Sequence, residues 1–265
     1  MGIFDFLRSK GDGKGKSVPP PAAPGGPVDK KLAGPAKVAG DKRAQTYDRI
    51  EAIQALVDAK SPAAAPALLR RFTFSIDPSI TDQEEKELAF QGIVHAGAES
   101  DSARESVVEA VRTFSVRAEQ LTWPIKVLRE LLDDQRYIDE VCELLEKYDT
   151  EYARNVEPKV QLIVALEEVA SEDAREAVEP FLEDVNETVR FHAVQTTYAH
   201  GNEASVGPLV KLLADEESVR IKNKVAEGLV ERGWIIPAEH RDAVQSSLRD
   251  TERFGLGRDG KVVAR

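Results

Sequence analysis

The chain has 265 residues, with 36 Lys+Arg against 47 Asp+Glu, a formal charge of −11 and 42% apolar residues. That apolar share can build a core and excludes wholesale disorder, while a single cysteine excludes a disulfide framework and a multi-cysteine metal site. No apolar run approaches the ~20 residues that a membrane-spanning helix needs, and no N-terminal apolar segment leads to a small-residue cleavage site, so the expected setting is reducing and cytoplasmic.

Residues 1–45 carry nine Lys/Arg and four Asp, so this head is at +5 and residues 46–265 are at −16. The head also holds Gly11, Gly13, Gly15, Pro19, Pro20, Pro21, Pro24, Gly25, Gly26 and Pro27. Such a stretch buries too little apolar surface to offset its ordering entropy, and it reads as a flexible basic segment with local polyproline character. At its start Ile3, Phe4, Phe6 and Leu7 stand before Arg8 and Lys10. They form a candidate tether to a partner groove or a membrane surface. Gly2 does not make a myristoylation motif, because Phe6 stands where Ser or Thr is required.

From residue 46 the pattern turns helical and repetitive. Five segments show apolar residues at i, i+3, i+4 and i+7: Ala65/Leu68/Leu69/Phe72, Val107/Ala110/Val111/Phe114, Ile138/Val141/Cys142/Leu145, Val178/Phe181/Leu182/Val185 and Val206/Leu209/Val210/Leu213. This spacing lines one face of an α-helix. Between them fall first helices anchored at Ile50, Leu88, Ile125, Val160, Val189 and Val219. A recurrence of about 30–40 residues predicts one helical hairpin per repeat. Ser61-Pro62 reads as an N-cap followed by proline at the first helical position. Thr81 to Glu84 reads as a capping box, and Ser171 as a cap with two acids in the first turn. Gly201 and Gly233 punctuate hairpins, and Pro237 opens the last helix. Residues 251–265 form a short tail, in which only Lys261-Val262-Val263 carries a strand signal.

Asp184-Val185-Asn186-Glu187-Thr188-Val189-Arg190 with Ala193, and the later Asp215-Glu216-Glu217-Ser218-Val219-Arg220, resemble HEAT repeats of the bacterial short form related to phycobilisome-lyase repeats. The resemblance spans about 150–232; residues 46–149 match through helical periodicity alone. It implies that Asp184, Arg190, Asp215 and Arg220 are structural pairs bridging neighbouring repeats. The two copies differ, with four residues between Asp and Val in the first and three in the second.

Catalytic patterns are missing from the sequence. Cys142 sits inside an apolar quartet and reads as a small core residue. The four histidines, His95, His192, His200 and His240, include no His-Glu pair, no HExxH and no two spaced three or four apart. No GxxxxGK[ST] or GxSxG occurs, and Gly255-Leu256-Gly257 lies in the tail without the preceding strand and following helix that a phosphate-cradling loop needs. Trp123 and Trp234 read as packing residues. The −16 of the helical part repels phosphate, which argues against nucleic acid.

These readings together predict an all-α, right-handed solenoid of about six antiparallel hairpins over residues 46–250. The expected function is that of a non-enzymatic, monomeric scaffold or adaptor, with no cofactor and no metal. It would bind a protein partner on the concave face built from the second helix of each hairpin. Arg70, Arg71, Arg104, Arg112 and Arg136 are the candidate contacts. Two alternatives stand beside it. One is a bilin lyase or isomerase, as the resemblance permits; the other is a membrane-proximal regulator tethered through Ile3, Phe4, Phe6 and Leu7.

Overall fold

A computed structural model describes residues 31–265. The expected tether Ile3, Phe4, Phe6 and Leu7, with the rest of residues 1–30, lies outside the described residues.

The described chain is mostly helical. Helix α1 spans Ala33–Ala39, α2 Thr46–Asp58, α3 Ala65–Leu69, α4 Ser79–Ala98, α5 Asp101–Ser115, α6 Thr122–Leu131 and α7 Asp134–Leu145. Then come α8 Glu157–Ala165, α9 Glu172–Val178, α10 Glu187–His200, α11 Val206–Asp215, α12 Val219–Arg232 and α13 Arg241–Arg249. Short 3-10 turns flank α3 and follow α9.

Side-chain caps start many of these helices. Ser100 accepts from the Ala103 amide, Asp133 from Arg136 and Ser171 from Ala174. Each satisfies an amide that the first turn leaves without a partner. Gly201 and Gly233 end α10 and α12 at φ +67° and +63°, the left-handed conformation in which glycine carries no Cβ penalty. The expected capping box at Thr81 does not form. Helix α4 already begins at Ser79, after Pro78, so Thr81 lies inside the first turn rather than before it.

Contacts run in sequence order and form two layers. α2 packs on α4, α4 on α6, α6 on α8, α8 on α10 and α10 on α12. In the other layer α3 packs on α5, α7 on α9 and α11 on α13. Adjacent helices close the pairs between layers, as α4 with α5 and α6 with α7. A single buried apolar cluster runs through the stack from Ala36 to Val262, so each pair covers the apolar face of the next. Val185 leaves the pattern; it is exposed, because α9 ends at Val178 and the chain has turned away before residue 185.

Both boundaries expected from composition shift. The segment 33–39, expected as linker, is helix α1, with Ala36 and Ala39 buried against its neighbours. α1 packs on α2 and α3. Pro35 falls in its first turn, where a missing N–H costs nothing, so the proline and glycine content is misleading there.

At the other end the tail is packed. Strands β1, Phe254–Leu256, and β2, Val262–Ala264, form an antiparallel hairpin. The Ile236 amide donates to the Gly260 carbonyl at 2.8 Å, and Phe254 and Val262 are buried. Trp234, stacked on Tyr198 at 5.9 Å, is buried with them. Trp123 stacks on Phe72 at 5.5 Å, half-buried.

Candidate partner-binding grooves

The expected structural pairs sort into a different set of residues. Lys159 on α8 puts its Nζ 2.6 Å from Asp184 Oδ2 and donates to the Asp149 carbonyl at 2.6 Å. One repeat later Arg190 on α10 donates to both carboxylate oxygens of Glu216 at 2.8 Å, and to the Asp184 carbonyl at 2.9 Å. Lys222 on α12 continues with Asp250 at 2.6 Å. Each cation therefore pairs with the carboxylate that follows the next second-layer helix. The first two also tie down the loop before their own helix.

Asp184 pairs with Lys159 and Arg190 with Glu216, so Asp184 and Arg190 are not partners of each other through side chains, and Arg190 reaches only the carbonyl of Asp184. Asp215 is exposed and Glu216 is the buried acid, because Glu216 stands two residues before the helix cap Ser218 as Asp184 stands two before the cap Asn186. Arg220 is exposed too. It lies over the Phe191 ring at 3.7 Å, with Glu187 3.9 Å away. Sequence reasoning missed Lys159, Lys222 and Glu216. The available signal was the spacing of Lys159, Arg190 and Lys222, which stand 31 and 32 residues apart.

The candidate partner contacts also divide. Arg71 is fully buried: its Nε lies 2.6 Å from Glu85 and its Nη2 2.6 Å from Asp82. It is no surface contact, because Arg49 and Lys86 join the same two carboxylates to form one buried charged cluster. Arg112 on α5 grips Glu140 of α7, with its Nε at 2.6 Å. Arg136 on α7 grips Glu105 of α5 at 2.7 and 3.1 Å. Arg104 pairs with Asp101 at 2.7 Å. These three guanidiniums tie helices together or neutralise their own helix. Arg70 is exposed and has no ion pair among the described residues.

With those arginines engaged, the exposed surplus on the second layer is negative. A groove of about 760 Å³ opens between α7 and α9. Its floor includes Leu145, Tyr148, Ala177 and Phe181. Its rim carries Asp139, Glu143, Glu146, Asp149, Asp173 and Glu176, and no Lys or Arg lines it. Glu143 lies 3.6 Å from Arg112, and Glu176 lies 3.3 Å from Arg175. Among the described residues, Glu146 and Asp173 have no ion-pair partner.

Other grooves lie along the stack. One, of about 670 Å³, is lined by Phe72, Phe74, Phe114, Arg117, Glu119 and Glu157. Another, of about 470 Å³, opens beside Asp184, Arg190 and Glu216 and contains the structural ladder itself.

Cys142 lines the α7–α9 groove, half-buried, with its Sγ 3.9 Å from the Asp173 carbonyl. Burial pushes its thiol up, and Asp173, Glu146 and Asp139 push it further, to about 11. The thiol is thus held protonated at neutral pH, the opposite of what a nucleophile needs. No three of the described His, Cys, Asp and Glu residues are grouped to hold a metal ion. Among the described residues, no helix is long and apolar enough to cross a membrane.

Comparison with known proteins adds little. No protein-family model matches the chain, and no curated protein matches it. A solved structure described as "Computational Design of Self-Assembling Cyclic Protein Homooligomers" aligns with 84% of this chain and 88% of its own, at 12% identity and a TM-score of 0.17. A likeness of that size carries neither fold nor function to this chain.

Proposed function

We propose that the chain is a non-enzymatic adaptor, a HEAT-like right-handed solenoid of about six antiparallel hairpins. It acts as a monomer in the cytoplasm and takes a protein partner along its second-helix layer. The observation that carries this reading is the α7–α9 groove, an apolar floor inside a rim of carboxylates with no lining cation. Such a site selects a partner by charge and anchors it by apolar burial. The contacts therefore move from the arginines expected in the sequence to Glu146, Asp173 and their neighbours.

A lyase or isomerase working through Cys142 is the second reading, favoured by the thiol's place in a groove beside Tyr148. The raised thiol weighs against it, and formation of a covalent tetrapyrrole adduct on Cys142 would revive it. The reading as a membrane-proximal regulator rests on residues 3–7.

The test is affinity capture with the full chain and with Glu146→Lys combined with Asp173→Lys. Capture of a defined client that the double variant loses, with helicity and melting retained, supports the adaptor. Equal capture by both proteins overturns the assignment to this groove.

A further inference from the structure

We infer that the segment Ile3–Lys16 of this same chain docks into the α7–α9 groove, an inference that rests on the groove being the partner-binding surface proposed above. The groove asks for a ligand of two parts, an apolar anchor to cover Tyr148, Ala177 and Phe181, and cations to meet the rim. Residues 3–16 have that composition and order. Ile3, Phe4, Phe6 and Leu7 come first, then Arg8, Lys10, Lys14 and Lys16, with only Asp5 and Asp12 opposing them.

The reach is sufficient. The described chain begins at Lys31 and leads into α1, which packs on α3 at the first end of the second layer. The groove lies two to three helix spacings along that layer, about 20–25 Å at ~8–10 Å per spacing. Residues 17–30 alone extend to roughly 46–50 Å. The site is acidic without a lining cation, and the head carries the opposite charge, so docking removes like-charge repulsion within the rim.

Cys142 provides the readout, since it is the only cysteine of the chain and lines the groove. The experiment compares maleimide labelling of Cys142 in the full chain and in a full-length variant with Lys10→Glu, Lys14→Glu and Lys16→Glu. Docking predicts faster labelling of the variant by about fivefold, as for a groove covered roughly four-fifths of the time. It also predicts that raised salt accelerates the parent chain more than the variant, beyond the screening of the rim acids that both proteins share. A second full-length variant, Phe4→Ser with Phe6→Ser, is expected to label like the first, through loss of the anchor.

Equal labelling of all three proteins overturns the inference. So does protection that grows with protein concentration, which would mean that a second copy supplies the segment. If labelling is unchanged while Glu146→Lys with Asp173→Lys abolishes client capture, the docking falls and the adaptor reading stands.

Discussion

Arg190 and Glu216 face each other in a fork of two 2.8 Å hydrogen bonds, and the same guanidinium reaches back to the Asp184 carbonyl at 2.9 Å. One side chain thus joins a first-layer helix to the loops on both of its sides. Truncating it leaves Glu216 buried without its partner, a loss of ~3–5 kcal/mol for a buried pair. The guanidinium is partly exposed, so Arg190→Ala is expected at about 2–4 kcal/mol. Equilibrium urea unfolding measures it, and a change under ~1 kcal/mol would remove the ladder from the account of stability.

Acid should act through the same residue. Burial alone would raise the Glu216 carboxyl, but the Arg190 and Ser218 hydrogen bonds and the Arg190 charge outweigh it, and the group sits below its ordinary 4.5. The unfolded chain then binds the proton more readily than the folded one. The contribution is complete above pH ~4.5 and is lost as pH falls through the folded value. Glu216→Gln should therefore be less stable than the parent at pH 7, with a shallower fall as pH drops from neutral to 4.5 and below. Stability measured across that window checks this, and parallel pH curves would show that Glu216 titrates as it does in the unfolded chain.

The buried cluster around Glu85 gives a larger effect. Arg49 and Arg71 both place Nε 2.6 Å from one Glu85 oxygen, and Asp82 shares Arg71 with Lys86. Three buried cations face two carboxylates, so removing Glu85 leaves Arg49 without a carboxylate and Arg71 to share Asp82 with Lys86. Glu85→Ala is expected to lose about 3–5 kcal/mol. Arg71→Glu is expected to unfold the first repeats rather than to abolish a surface contact selectively. Circular dichroism melting of the two variants separates these outcomes; an Arg71→Glu protein with the parental melting temperature would place Arg71 back at the surface.

The helical stack was readable because its cause is periodic. Apolar residues at helical spacing must be covered, and Ser100, Asp133, Ser171, Gly201 and Gly233 mark ends through local chemistry. What composition hid was tertiary. Pro35 and Gly34 look like linker, but two alanines facing α2 and α3 make α1 pack. The arginines of the second helices look like an open basic surface. Their partners, Glu140 for Arg112 and Glu105 for Arg136, lie 28 and 31 residues away, and no local pattern joins them. The acidic groove became legible only after those pairs were removed from the surface charge.

Gly228 on α12 marks a close approach. A Cβ built there would run into the ring of Tyr198, whose hydroxyl donates to the Val225 carbonyl at 2.7 Å. Tyr198 is buried, stacked on Trp234 and held from α10, so it has little room to give way. Gly228→Ala would ordinarily favour a helix by about 1 kcal/mol. Here overpacking should reverse the sign and destabilise by ~1–3 kcal/mol. A stabilised Gly228→Ala protein in thermal melting would show that α10 and α12 are not locked by this contact.

Cys142 decides between binding and chemistry in the groove. Its thiol is held up at about 11 by burial first, then by Asp173, Glu146 and Asp139. Thiolate is the reactive form, so the iodoacetamide rate should keep rising tenfold per pH unit through the range where an ordinary cysteine levels off near ~8.5. Removing the charge with Asp173→Asn should lower the apparent value and speed labelling at pH 8 without changing the fold. The comparison is internal, because no second cysteine contributes. A plateau below pH 8 in the Lys10→Glu, Lys14→Glu, Lys16→Glu chain, whose head does not bring those cations to the rim, would mean that the acids do not hold the thiol up, and the groove would then have to be reconsidered as a reactive site rather than an acidic cradle.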